Sequence, residues 1–104
     1  MVASSWTAAS SSAHPHPKLW AWYRSSGARC VHSYEGSWTD PAAPYYGGFQ
    51  MDLAFQRRWA PHRLAAKGTA DHWKAFRQVL VVRRAVRHIG WGPWPNTARY
   101  CGLL

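Results

Sequence analysis

Residues 69–90, TADHWKAFRQVLVVRRAVRHIG, constrain the fold more than any other stretch of the chain. Apolar residues recur there at helical spacing (Trp73, Phe76, Leu80 and Val86, with Val79, Val82 and Ile89 alongside), Thr69 or Asp71 stands where an N-cap belongs, and Gly90 supplies a stop. The pattern predicts an amphipathic helix of about five turns. Its Arg and Lys residues mostly fall off the apolar stripe, which reads as a solvated basic face rather than a dedicated polyanion groove.

Shorter elements precede it. MDLAFQRRWA predicts a helix with Leu53, Phe55 and Trp59 facing inward. KLWAWYRSSGARCVHSYE opens on the apolar cluster Leu19, Trp20, Trp22 and Tyr23, breaks at Ser/Gly residues 25–27, and resumes where Cys30, Val31 and Tyr34 share one helical face. A short helix is expected to end near Glu35, with Gly36 as its stop. TDPAAP reads as loop, and YYGGFQMD as a tight turn or small irregular hairpin whose glycines let backbone approach a ligand closely. After Gly90, WGPWPNTARYCGLL is too rich in Pro and Gly for regular structure and is expected to wrap the surface and be pinned there. The fold class expected is α+β, mainly helical.

At 104 residues and 47% hydrophobic content, the chain makes one small domain with little stability margin. Residues 1–17, rich in Ser, Ala, His and Pro without apolar periodicity, read as a flexible tail, leaving 18–104 as the domain. His14 and His16 alternate with prolines in that tail, but no Cys or acid stands beside them, so solvated histidines are expected rather than a metal site. No metal or cofactor is implied. No window reaches the roughly 20 apolar residues of a membrane span, and the N-terminus shows no apolar run of a signal peptide. Thirteen Lys and Arg against Glu35, Asp40, Asp52 and Asp71 give a formal charge of +9, a field that attracts polyanions: nucleic acid, anionic lipid or an acidic wall polymer. Eight Trp and five Tyr either build the core or stack on bases or sugar faces.

The two cysteines form no CxxC motif and have no partners at zinc-finger spacing, so they are a disulfide, two free thiols or one catalytic thiol. A bridge is expected, because the terminal segment has no other evident anchor. Between Cys30 and Cys101 it would close a loop worth roughly 4 kcal/mol in the chain-entropy model and would imply an oxidising compartment. A Cys30/His32 nucleophile pair is disfavoured, since side chains two apart on a helix diverge.

Glu35 is the single glutamate of the chain. A carboxyl at a helix end among aromatic rings is one that desolvation can hold protonated, which suits a proton donor, although a solitary surface charge is the commoner occurrence. CVHSYEGSW followed by YYGGFQMD resembles the catalytic core of the lysozyme-like superfamily, in which a helix ends on the acid Glu and a Gly-x-x-Gln turn follows. The Glu35 to Trp38 spacing is similar to the Glu-Ser-x-Trp motif of soluble lytic transglycosylases. YYGGFQ together with GWGPWPNTARYCG resembles resuscitation-promoting factors and related transglycosylase-like domains more closely, over about residues 28 to 102. Two departures stand out: those factors place Glu directly after the first cysteine, whereas four residues intervene here, and PNTARY lengthens the stretch before the last cysteine.

The resemblance implies a small lysozyme-like domain with a short irregular β-hairpin beside the catalytic helix. It implies cleavage of the β-1,4 bond between N-acetylmuramic acid and N-acetylglucosamine in peptidoglycan, with Glu35 as general acid. Two-carboxylate glycosidases hold a second acid about 5 to 9.5 Å from the first. Asp40 and Asp52 are the nearby acids, and turn-shaping and helix capping are the roles expected of them. A lytic transglycosylase needs one acid, whereas a muramidase would recruit Asp52. Sugar contacts are implied for Gln50, backbone of Gly47 and Gly48, and the rings of Trp38, Tyr45 and Tyr46, although one of the two adjacent tyrosines should point into the core. Trp91 and Trp94 read as core or rim. Expected partners are peptidoglycan strands and anionic wall polymers, with a secreted or wall-associated monomer and no nucleic acid. The rival readings are a non-catalytic wall-binding module of the same fold and a basic nucleic-acid binder.

Overall fold

The computed structural model describes residues 15–104. Most of the expected tail, His14 included, lies outside the described residues. Helix α1 (Pro17–Ser25) starts on a proline in its first turn, where the missing N–H has no intrahelical partner to lose. Helix α2 (Ala28–Glu35) follows after Gly27, whose φ of 92° lies in the left-handed region that glycine adopts without penalty. A Cβ there would also come within 2.5 Å of Leu103 Cδ2, so the residue admits the C-terminus as well as the break.

Helix α3 (Leu53–Trp59) is capped by Asp52, whose carboxylate accepts from Phe55 N–H at 2.8 Å. Within it Trp59 is buried as expected, but Leu53 and Phe55 are only partly covered and Gln56 is fully buried. Pro61 opens α4 (Pro61–Lys67), which ends at Gly68. A single 3₁₀ turn (Ala70–His72) leads into α5 (Ala75–Ile89), the longest element.

Two features of α5 differ from expectation. Its N-cap position is Lys74, not Thr69 or Asp71; those two close the preceding turn, and Trp73 sits buried outside the helix with its indole N–H donating to Gly68 O at 2.8 Å. The buried face is Gln78, Val79, Val81, Val82 and Ala85, whereas Phe76, Leu80 and Val86 form a partly covered flank and Ile89 is exposed. A buried glutamine at the centre of that face displaces the stripe that hydropathy alone marks out.

The C-terminal segment is a second correction. Pro95–Tyr100 forms a short helix, α6, because Pro95 occupies its first turn; Gly102 (φ 74°) follows its end. The expected hairpin reduces to one antiparallel bridge between Tyr46 and Met51, with N–H to O distances of 3.0 and 2.9 Å. Gly47 (φ 75°) and Gln50 (φ 50°) make the turn inside it, and no strand is found among the described residues. The architecture is therefore mainly helical.

Helix α1 packs on α2 and α5, α3 on α4 and α5, and α6 on α2. Leu19, Val31, Phe49, Met51, Val79, Val82, Trp91 and Trp94 fill the space between them. Much of the aromatic content is accounted for here: Trp22 stacks on Trp91, and Trp38 lies edge-on to Trp20 and to Phe49. Cys30 and Cys101 are bonded, joining α2 to the residue after α6. Among the described residues no helix is long and apolar enough to cross a membrane.

Candidate functional site

Glu35 is the last residue of α2, where Gly36 ends the helix and turns the chain away. Its Oε2 accepts a hydrogen bond from the Thr97 hydroxyl of α6, 62 residues further on, so the two helices joined by the disulfide are joined again at the acid. The carboxyl is partly exposed and borders a hollow of about 340 Å³ with Tyr45, Gln50, Trp94, Asn96 and Thr97. A second hollow of about 200 Å³ adjoins it, sharing Tyr45, Gln50, Pro93 and Trp94 and reaching Asp52 and Phe55. Together they make one trough with Glu35 towards one end and Asp52 towards the other.

The trough wall over residues 45–52 is held from behind by two buried amides. Gln78 accepts from Gly48 N–H at 2.8 Å and donates to Trp38 O at 2.8 Å and Trp73 O at 3.0 Å. Gln56 donates to Met51 O at 2.8 Å and accepts from Ala70 N–H at 3.0 Å. Each amide satisfies several backbone groups that burial would otherwise leave unpaired. Glycine at 47 and 48 is required for this support: a Cβ on Gly47 would lie 2.5 Å from Gln78 Oε1, and one on Gly48 2.5 Å from Trp38 Cε3.

The sequence-predicted site residues divide accordingly. Glu35, Tyr45, Gln50 and Asp52 come together along the trough, and half of Tyr45's surface is open to solvent. Tyr46 is the less exposed of the tyrosine pair and forms the bridge to Met51. Gly47 and Gly48 are buried, with their N–H groups already given to Asp40 O and Gln78 Oε1, so they shape the wall rather than face a ligand. Trp38 lines neither hollow and packs instead against His32, at a ring separation of 3.7 Å, and against Tyr23 and Phe49. Trp38, expected to stack on sugar, is a partly buried ring packed against the core and lies outside the trough.

Both nearby aspartates are held. Asp40 accepts from Ala42 N–H and from Gln50 Nε2, each at 3.0 Å, and Asp52 caps α3. Gln50 Nε2 also donates to Gly47 O at 2.9 Å, which uses both amide hydrogens and leaves Oε1 to accept. Burial pushes the His32 imidazole below its ordinary pKa, opposed in part by a backbone contact at Gly36; its Nδ1 lies 2.7 Å from the Tyr23 hydroxyl. With Cys30 in the disulfide, the Cys30/His32 pair has no thiol. No group of three or more His, Cys, Asp and Glu comes together to hold a metal among the described residues.

Sequence reasoning missed Thr97, Asn96 and Pro93 in the trough and the two supporting glutamines. Thr97 carried no signal, since a threonine in PNTARY reads as any surface residue. Trp94 was expected in the core or at the rim, and it serves both: its indole N–H donates to Phe49 O at 2.7 Å while its side borders both hollows. Comparisons of the chain with protein-family models, with curated proteins and with solved structures find no match.

Proposed function

We propose that this chain cleaves the β-1,4 bond between N-acetylmuramic acid and N-acetylglucosamine in bacterial peptidoglycan, with Glu35 as general acid, and that it does so as a lytic transglycosylase rather than a muramidase. The observation that carries the reading is how the carboxyls stand to an elongated trough: Glu35 opens onto it with one hydrogen bond, from Thr97, while Asp40 is tied into a turn and Asp52 caps α3. The resemblance of residues 28 to 102 to the lysozyme-like superfamily supplies the substrate.

In this scheme Glu35 gives its proton to the glycosidic oxygen as the C1–O bond breaks. The muramic acid's own C6 hydroxyl attacks C1, its proton passes to the Glu35 carboxylate, and a 1,6-anhydro end results. Neither step calls on a second carboxylate, a metal or a cofactor. The Thr97 hydroxyl fixes the carboxyl against the trough, the exposed Tyr45 ring and the edge of Trp94 offer apolar surface to sugar faces, and Gln50 Oε1 can accept from an N-acetyl N–H. Action outside the cell or in the wall fits the disulfide.

Incubation with purified peptidoglycan and mass spectrometry of released muropeptides tests the proposal. Glu35→Gln keeps shape and hydrogen-bonding reach, so it should fold and bind glycan yet lose about 10² to 10⁴-fold in release. Wild-type products should carry 1,6-anhydro ends, and Asp52→Asn should remain active. Reducing ends together with an inactive Asp52→Asn would replace the mechanism by a two-carboxylate hydrolase. Near-normal release by Glu35→Gln would end the catalytic assignment and leave a wall-binding module.

A further inference from the structure

Two other hollows meet at Phe76 and share no residue with the trough beside Glu35. One, of about 290 Å³, is lined by Arg63 and Lys67 of α4 and by Lys74 and Arg77 at the start of α5. The other, of about 530 Å³, lies between α1 and α5 and is bordered by Lys18, Arg77 and Arg83. Phe76 and Arg77 belong to both, so the two form a continuous groove with six Lys and Arg side chains along it. The cations come from three helices, which is why the spacing along α5 alone reads as nothing more than a solvated face.

No acid lines this groove. Glu35, Asp40 and Asp52 are engaged elsewhere, as described above, and Asp71 is turned inward: its side chain is 5% exposed, accepts from the Thr69 hydroxyl and lies 3.4 Å from His72 Nδ1. That is the one contact of a basic side-chain nitrogen with a carboxylate within 4 Å among the described residues, and it is an ion pair only when the His72 ring is protonated. Six like charges thus converge on a concavity without a carboxylate partner there, an arrangement that repels itself and draws counter-charge from solution.

We propose that this groove binds a phosphodiester polymer with polyol repeats, of the glycerol phosphate type found in bacterial walls. Contiguity of the two hollows suits a chain rather than one phosphate, since Arg77 would bridge successive groups. The rings argue against bases as the recognised element. Phe76 already carries His16 stacked on it at 4.1 Å and the Arg77 guanidinium 5.0 Å from its centroid, while Trp73 is buried with its N–H engaged. Apart from the exposed imidazoles of His16 and His72, no ring in the groove is open for a base to stack upon, so the ligand is read chiefly by charge. The choice of a wall polymer as its source rests on the reading of the Glu35 trough; the recognition of repeated phosphate does not.

Fluorescence titration of the full chain with poly(glycerol phosphate), and with single-stranded DNA of equal phosphate number, tests this at several salt concentrations. Lys67→Gln/Lys74→Gln/Arg77→Gln should lower the slope of log affinity against log salt by about 2, at ~0.7 per lost phosphate contact on a flexible strand. Arg57→Gln/Arg58→Gln/Arg99→Gln removes the same charge away from the groove and should leave most of the slope. Lys67→Glu, a single exposed change, serves if the triple variant does not fold, and should weaken binding in the same direction. Equal losses in the groove and control variants would overturn the site, and tighter binding of DNA than of the glycerol polymer would overturn its occupant. Release of fragments from glycan stripped of such polymers should be the same for the groove variant and wild type; thus failure here and failure of the Glu35 reading are told apart.

Discussion

The trough beside Glu35 has two walls, and they are held by different means. Residues 45–52 are fastened from within by the amides of Gln56 and Gln78, side chains that each bind backbone of two or more segments. Residues 91–104 have no such internal amide; they are fastened by the bond from Cys101 to Cys30, by the Trp94 indole on Phe49 O and by Leu103 seated over Gly27. The first wall depends on packing and on hydrogen bonds that are insensitive to redox conditions. The second depends in part on an oxidising environment. A short chain without a large core can therefore fix one side of a site by its interior and the other by a covalent tie.

The sharpest way to break this comparison is to remove the tie. Cys30→Ser/Cys101→Ser should lose up to about 4 kcal/mol, the estimate for a closed loop of this length, read as a fall in the chemical-denaturation midpoint. The same variant should show faster amide exchange over residues 91–104 than over 45–52. Equal exchange in both walls would mean that the second wall does not need its bridge. Gln78→Ala comes next. It strands one N–H and two carbonyls in the interior, at about 1–3 kcal/mol for each unsatisfied group, so a loss of about 3 kcal/mol is expected, with exchange now faster in the first wall.

A smaller effect, about 1 kcal/mol, is expected from Asp52→Ala, which deletes the cap of α3 at the far end of the first wall; Asp52→Asn should retain most of that stability. The least effect concerns pH. Because burial lowers the pKa of His32 in the folded protein, the unfolded chain takes up this proton more readily. The contribution is thus complete above the ordinary value of 6.5 and is lost as pH falls through the folded-state value. Denaturation midpoints should decline over that window and the decline should shrink in His32→Phe; an unchanged decline would assign it to other groups.

Much of this arrangement is legible in the sequence where a residue acts through its own backbone neighbours. Gly36 ends α2 on Glu35, Asp52 caps α3, and the Ser/Gly break separates α1 from α2, since each effect spans only a few positions. What escapes is anything decided across the interior. Gln56 and Gln78 count as polar in any hydropathy pattern, yet they are fully buried because their partners lie between 5 and 40 residues away. Their burial shifts the inner face of α5 and leaves Ile89 outside. Trp38 likewise sits at a motif spacing but is drawn inward by His32 and Phe49. In the candidate site, Glu35, Tyr45 and Gln50 are reached through the resemblance that their motifs carry, whereas Thr97 is not, because only the closure of α6 on α2 brings it there.

That closure turns a distance along the chain into a constraint on chemistry. Cys101 is tied to α2, and Thr97, four residues earlier and on α6, must meet a carboxyl on the same helix α2. One residue inserted between them would rotate Thr97 by about 100° around the α6 axis, carrying its hydroxyl off Glu35 while leaving every side chain of the trough intact. The length of the segment Ala98–Tyr100 is in that sense as much a part of the acid's setting as any side chain that touches it.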